Sequence, residues 1–159
     1  SVLSQAKENA LEALAIVKGH TPSFLLEKAE KATYLQTVDL LPSALKPYWY
    51  AAIHNHLITQ DALSLFKQAE IEMNRVGQLI DAHQSILQHQ IKNTPSPMIK
   101  MMEAATANGA HGTKIVGSGG GGCFVSLCPK DQVNKVIQAI EKAGARQAFT
   151  VNITSVSND

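Results

Sequence analysis

The sequence predicts an α+β fold in which helices pack on one face of a small antiparallel sheet. Three observations predict it. Apolar residues recur at helical spacing from residue 3 to residue 108, two short β-type runs flank a block of glycines at 117–122, and residues 147–153 alternate apolar and polar. With 159 residues the chain is one domain's worth, long enough to bury a core without disulfides or a structural metal.

The elements follow in order. Residues 3–18 place Leu3, Ala10, Leu14 and Val17 on one helical stripe, with Gly19 to end it. Thr21 and Pro22 then read as the cap and first turn of a helix running through Phe24 and Leu25 into the charged 27–31 section. Residues 34–41 mix β-branched and aromatic side chains and fit either a short strand or a helix end, and Pro42 stops both. From Pro47 a helical pattern runs to Gln68, with Trp49, Ala52, Ile53, His56 and Leu57 along one face. A second long helix covers residues 69–90. There Val76, Leu79, Ile80, His83, Ile86 and Leu87 recur at helical spacing, while Asn74, Gln78, Asp81 and Gln88 take the opposite face. Two long helices this close in sequence predict an antiparallel pair.

Thr94-Pro95-Ser96-Pro97 breaks that pattern, and Ser96 with Pro97 predicts the cap and first turn of a helix to Asn108, ended by Gly109. Residues 113–116 and 123–128 are the β-type runs. Pro129 opens a helix striped by Val133, Val136, Ile137 and Ile140, and Gly144 ends it. The last run sets Phe149, Val151 and Ile153 on one face against Ala148, Thr150 and Asn152 on the other, as in a half-buried strand. Three strands are few for a sheet. Unless residues 34–41 supply a fourth, either the sheet is small or its remaining strand belongs to polypeptide outside this sequence.

Composition narrows the function. Hydrophobic residues make up 45% of the chain and charged residues 17%, against about 25% in an average domain. That excludes a disordered tail and points to surface covered by something else. Basic residues number 14 and acidic residues 13, a balance of +1 that favours neither nucleic acid nor anionic lipid. Cys123 and Cys128 lie five apart and would point to opposite faces of a strand, so they read as reduced thiols. No apolar run approaches the roughly 18 residues of a membrane span, and no basic segment leads an apolar one at the start. A cytoplasmic protein is expected. The chain opens on Ser1, which fits methionine removal as well as a piece of a longer polypeptide.

The block Gly117, Ser118, Gly119, Gly120, Gly121 and Gly122 carries the most chemistry, because a turn almost free of Cβ atoms can converge its amides on an anion. No Gly-Lys-Ser/Thr follows, as a Walker loop requires, and Cys123 opens a strand where a dinucleotide fingerprint needs a helix. By itself the block fits a phosphate-binding loop or a flexible hairpin. Mobility is expected, since consecutive glycines lose much entropy on ordering and no neighbouring side chain stands out as an anchor. Ser118 reads as small rather than as a ligand, and Lys114 as a solvated edge lysine. His83 falls on an apolar stripe and reads as packing. His54 and His56 face different directions on a helix, while His89 and His111 lack acidic or thiol companions at ligand spacing, so no metal site is expected. Met98, Met101 and Met102 read as core filling.

The run Gly109-Ala110-His111-Gly112-Thr113-Lys114-Ile115-Val116, continuing through the glycine block to Cys123, resembles the third motif of the GHMP kinases. That family includes galactokinase, homoserine kinase, mevalonate kinase and phosphomevalonate kinase. Its members read Gly-Ala-x-Gly-Ala-Lys, two further residues, Gly-Ala/Ser-Gly and a glycine pair before a strand; Thr113 here replaces the usual alanine. Upstream, residues 77–87 with Ile80, His83 and Leu87 resemble the helix that galactokinases and mevalonate kinases place before the motif. The stretch 52–63 with His54 is similar to galactokinases, although the acidic and arginine positions that follow there fall near Ile58 and Asp61. The 95–102 turn carries no acidic residue where many members have one.

The resemblance implies a ferredoxin-like sandwich of the family's C-terminal type over residues 1–159. The family's Pro-x-x-x-Gly-Leu-Gly-Ser-Ser phosphate loop, catalytic aspartate and magnesium-binding acid belong to an N-terminal half, and this sequence holds no counterpart. Catalytic residues are therefore expected outside the chain, which alone should be inactive and bind neither ATP nor Mg2+. The 117–122 loop is expected in the interdomain cleft near the nucleotide phosphates and acceptor, working through backbone amides. The whole enzyme would use ATP and Mg2+ to phosphorylate a sugar hydroxyl, galactokinase-like in the first reading and mevalonate kinase-like in the second. Expected partners are an N-terminal kinase domain, a small-molecule substrate such as galactose, and a second copy through an exposed interdomain face; nucleic acid and membranes are not expected. The competing reading is a free-standing, non-catalytic binding module. Such a module should cover its own apolar faces, whereas a separated kinase domain should expose an apolar patch beside the loop.

Overall fold

The computed structural model describes residues 1–151. Helix α1 (Val2–His20) is capped by Ser1, whose hydroxyl accepts the Ser4 N–H at 3.2 Å. It continues past Gly19 to Thr21, whose N–H closes the last turn on the Val17 carbonyl at 2.9 Å. Its buried stripe is Ala6, Ala13 and Val17, with Leu3, Ala10 and Leu14 half-buried beside it.

The helix predicted from Thr21 to Lys31 does not form. Only a short 3-10 turn, Leu26–Lys28, appears, between the extended residues Leu25 and Ala29. The Thr33 hydroxyl accepts the Glu30 N–H at 2.8 Å, a local bond that competes with helix. Residues 34–41, open between strand and helix, are helical: α2 (Thr33–Thr37) followed by a 3-10 turn, Val38–Leu40. Tertiary contact overrides β propensity there. The Trp49 indole donates to Thr37 Oγ1 at 2.8 Å, and that hydroxyl donates to the Thr33 carbonyl at 2.7 Å. Trp49 centres a core of Ala13, Val17, Ala29, Leu41, Leu45 and Ile53.

Helices α3 (Lys46–Phe66) and α4 (Met73–Ile86) form the predicted antiparallel pair. Arg75 lies 4.0 Å from Asp61 at the end near the turn, and Tyr50 and His54 face Ile86 and Gln90 at the other. A π-helical turn, Leu87–Ile91, extends α4 and stops at Lys92, which takes the left-handed conformation at φ 58°. Helix α5 (Ser96–Ala107) begins one residue earlier than predicted, with Pro95 at the cap position. Beyond it Gly109 turns with φ +110°, and the Ala110 N–H reaches back to the Ala105 carbonyl at 3.0 Å.

Strands β1 (Gly112–Val116) and β2 (Cys123–Leu127) form an antiparallel hairpin with Thr113 opposite Ser126, Ile115 opposite Phe124 and Val116 opposite Cys123. A 3-10 turn leads into α6 (Val133–Lys142), and Gly144 follows at φ +116°. Ile115 and Phe124 pack with Met98 and Met102, while Ala105, Ala110, Val136 and Ile140 form the adjoining cluster. Helices α5 and α6 thus cover one face of the hairpin. The architecture is the expected α+β type with a two-stranded sheet. The strand predicted at 147–153 is not formed over 147–151: the Ala148 N–H is drawn to Glu141 Oε1 at 3.2 Å instead of a ladder, and Phe149 and Val151 are exposed. Asn152 and Ile153 lie outside the described residues.

Candidate functional site

The glycine block closes the hairpin beyond the Val116–Cys123 pair. Positive φ recurs at alternate positions, Gly117 (+77°), Gly119 (+82°) and Gly121 (+103°), a conformation that side chains resist and that turns successive peptide planes. Alternation of this kind makes backbone concavities that receive anions. The Gly121 N–H donates to the Gly119 carbonyl at 2.7 Å, a tight three-residue turn. Gly117, Ser118, Gly120, Gly121 and Gly122 are exposed, whereas Gly119 is buried. A Cβ on Gly119 would lie 2.5 Å from the Asn93 carbonyl oxygen, 2.8 Å from Ile115 Cδ1 and 2.9 Å from Asn93 Nδ2. The sequence offered no anchor for this loop; Asn93 and Ile115 hold it at Gly119.

Helix α4 braces the hairpin through backbone contact and two polar side chains. A Cβ on Gly77 would run into the His111 carbonyl, and one on Gly112 into the Gly77 carbonyl, so only glycine lets α4 approach β1 this closely. The outer edge of β1 then donates to α4 where a strand would otherwise lie: Thr113 N–H to Asp81 Oδ1 at 2.7 Å, and Ile115 N–H to Gln84 Oε1 at 3.0 Å. Gln84 Nε2 donates in turn to Thr94 Oγ1 at 3.0 Å, tying the edge to the segment below the loop. The helical pattern sets Asp81 on a polar outer face and does not single out Gln84. Their i, i+3 spacing beside Gly77 was the available signal.

Lys114 is half-buried rather than a solvated edge lysine. Its Nζ donates to the Ile115 carbonyl at 3.1 Å, and burial lowers its pKa. His83 is half-buried, with its pKa lowered by burial and then by the Lys114 charge. His54 donates from Nδ1 to the Tyr50 carbonyl at 2.9 Å and stacks on the Tyr50 ring at 3.7 Å, so its ring is committed to packing. Cys123 is an exposed free thiol, and Cys128 a half-buried one whose pKa is raised by burial and by Asp131. Met98 and Met102 are core residues, as expected, whereas Met101 is half-buried.

Two grooves flank α4. One of about 470 Å³ faces α5 and includes Asp81, Gln88, His89 and Glu103; the other, about 540 Å³, faces α3 and includes Lys31, Tyr50, His54 and Asp61. No loop glycine lines either. Among the described residues no three His, Cys, Asp or Glu side chains converge as metal ligands. No helix among them is long and apolar enough to cross a membrane. What the site offers is backbone amides on a braced hairpin, beside an open sheet face bearing Val116, Cys123 and Val125.

This is an α+β domain whose hairpin carries a glycine loop with positive φ at alternate positions. Residues 62–146, which hold α4, α5, the hairpin and α6, match the family described as GHMP kinases C terminal, and the chain belongs to that family of phosphotransferases. Similar curated proteins are a mevalonate kinase of Thermococcus gammatolerans, 30% identical over 146 residues, and one of Thermococcus onnurineus, 29% identical over 146 residues. A mevalonate kinase of Pyrococcus furiosus is 30% identical over the same length. Each match takes in 92% of this chain and 42% of the relative, so the chain spans less than half the length of the curated relatives it matches. These relatives do not support the leaning towards a sugar kinase.

Proposed function

We propose that the chain is the C-terminal domain, over residues 1–159, of an ATP-dependent small-molecule kinase acting on mevalonate or a closely related hydroxy acid. The observation that carries the reading is the 117–122 loop, with its alternating positive φ values, inside the family-matched segment. The names of the relatives favour mevalonate over galactose. His54, on which the sugar reading leaned, is committed to Tyr50.

In this reading an acceptor hydroxyl oxygen bonds to the γ-phosphorus of ATP as the bond to the β–γ bridging oxygen breaks. ADP departs, and the hydroxyl proton passes to a base on the N-terminal domain. The 117–122 amides sit at the cleft and hold phosphate oxygens whose charge rises in the transition state. Mg2+ would supply charge neutralisation when bound with the nucleotide. The N-terminal kinase domain is the partner, and the open face with Val116 and Val125 is where that domain, or a second copy, would cover apolar surface.

Coupled ADP release tests the proposal, using the intact polypeptide that carries this sequence with ATP, Mg2+ and a panel of mevalonate, galactose and homoserine. Turnover with mevalonate is expected, and none from the 159-residue chain alone. Turnover with galactose and not mevalonate restores the sugar reading. No turnover with any hydroxyl acceptor favours a non-catalytic binding module.

A further inference from the structure

The segment between the π-helical turn and α5 holds a polar group that the fold leaves unanswered. Asn93 is 7% exposed, and among the described residues neither its Oδ1 nor its Nδ2 has a hydrogen-bond partner. Asn55 and Ser126 each leave one buried oxygen unpartnered; Asn93 leaves a donor and an acceptor. Burying an unpaired carboxamide is unfavourable, and a side chain held so is explained when another state of the protein uses it.

Its position indicates which state. Asn93 follows Lys92, whose left-handed backbone turns the chain under the hairpin, and its own N–H is held by the Leu87 carbonyl at 3.2 Å. The carboxamide therefore lies on a fixed backbone directly behind Gly119, with Nδ2 2.9 Å from the point a Cβ there would occupy. The Gly119 carbonyl is meanwhile engaged by the Gly121 N–H at 2.7 Å.

An anion received by loop amides needs their N–H groups turned outward. Because N–H and C=O point in opposite directions across a peptide plane, that rotation turns carbonyls inward, where water does not reach and a donor is required. Nδ2 of Asn93 is a donor on that side. We propose that Asn93 is the positioning residue of the loop. On binding a phosphate-bearing ligand, the Gly119–Gly120 peptide rotates: the Gly120 N–H turns outward to a phosphate oxygen, and the Gly119 carbonyl leaves the Gly121 N–H and turns inward onto Asn93 Nδ2. One hydrogen bond is exchanged for two, and the buried donor is satisfied only in the bound state. The inference rests on the phosphate reading of the loop and extends it to a residue outside the glycine block.

The test uses the intact polypeptide, with ADP as probe by calorimetry and melting measured without ligand. N93L keeps the side-chain volume and removes both polar atoms. It should melt no lower than wild type yet bind ADP about fivefold more weakly, the size of one neutral hydrogen bond. N93D replaces the donor by an acceptor facing the same carbonyl and should weaken binding further. A merely structural role would instead lower melting and binding together, and that result overturns the proposal. So does N93L binding ADP as wild type does, which leaves the phosphate reading standing. Wild type that binds neither ADP nor ATP overturns that reading, and this inference with it. Where N93L fails to fold, the wild-type protein decides through its ¹⁵N-labelled asparagine side chains: the Asn93 amide protons should shift and become exchange-protected on adding ADP, and their indifference overturns the proposal.

Discussion

The surroundings of Trp49 and those of Gly119 are both buried, but they are built from opposite materials. Around Trp49 the contacts are side chain on side chain: the indole is fully enclosed, Phe24 tilts onto it at 5.7 Å, and its one polar atom is matched by Thr37. Around Gly119 they are mostly backbone on backbone or on polar groups, with Ile115 the one apolar side chain against the glycine among its three nearest neighbours. Gly77 meets His111, Gly119 meets Asn93, and the edge of β1 is answered by Asp81 and Gln84. The first arrangement stabilises through buried apolar area and tolerates swaps that conserve volume. The second stabilises less and specifies more, since it fixes the position of a backbone and leaves no room for a Cβ.

The largest expected effect belongs to the apolar side. W49A should lower unfolding free energy by about 3–5 kcal/mol in urea denaturation, through lost transfer energy and the cavity left behind. A loss under about 1 kcal/mol would mean that the helical core is not what holds the chain together. G77A sharpens the contrast through its sign. Glycine to alanine inside a helix ordinarily gains about 1 kcal/mol, but here the added methyl meets the His111 carbonyl, so a loss of about 1–3 kcal/mol is expected. G120A is the matched control: nothing lies within 4 Å of its Cβ position and its φ is not positive, so its stability should stay within about 0.5 kcal/mol of wild type. A stabilised G77A would break the claim that close backbone approach sets the seat of the hairpin.

The same division decides what could be read in advance. The α3–α4 pair, the hairpin and α6 were legible because apolar periodicity reports side-chain burial directly, and the glycine block because composition reports backbone freedom. The 21–31 segment departs from its helical apolar pattern: Leu25 and Ala29 are extended around a 3-10 turn, and the Thr33 hydroxyl takes the Glu30 N–H at the start of α2. The 147–153 alternation reports a capacity for strand, but residues 147–151 pair with no strand, and the Ala148 N–H goes to Glu141. At the site, the loop was visible and its supports were not. Asp81, Gln84 and Asn93 look like ordinary solvated residues in one dimension, and only the register of β1 against α4 makes them partners of the loop and its strand.

The smallest effect tests whether that polar seam is coupled to stability. Burial and the Lys114 charge both disfavour the imidazolium of His83, so its pKa in the folded protein lies below its value in the unfolded chain. The unfolded state then takes up the proton first. Stability should be unaffected above the ordinary histidine range, near 6.5, and should decline as pH falls through it until the folded-state pKa is reached. Urea midpoints at pH 7.5 and pH 5.5 should therefore differ in wild type, and H83Q should narrow that difference. K114M should narrow it less, because burial is the larger cause and remains. An H83Q protein with an unchanged pH dependence would show that α4 and β1 meet without burying the imidazole against the lysine, and that the hairpin is seated by Gly77, Asp81 and Gln84 alone.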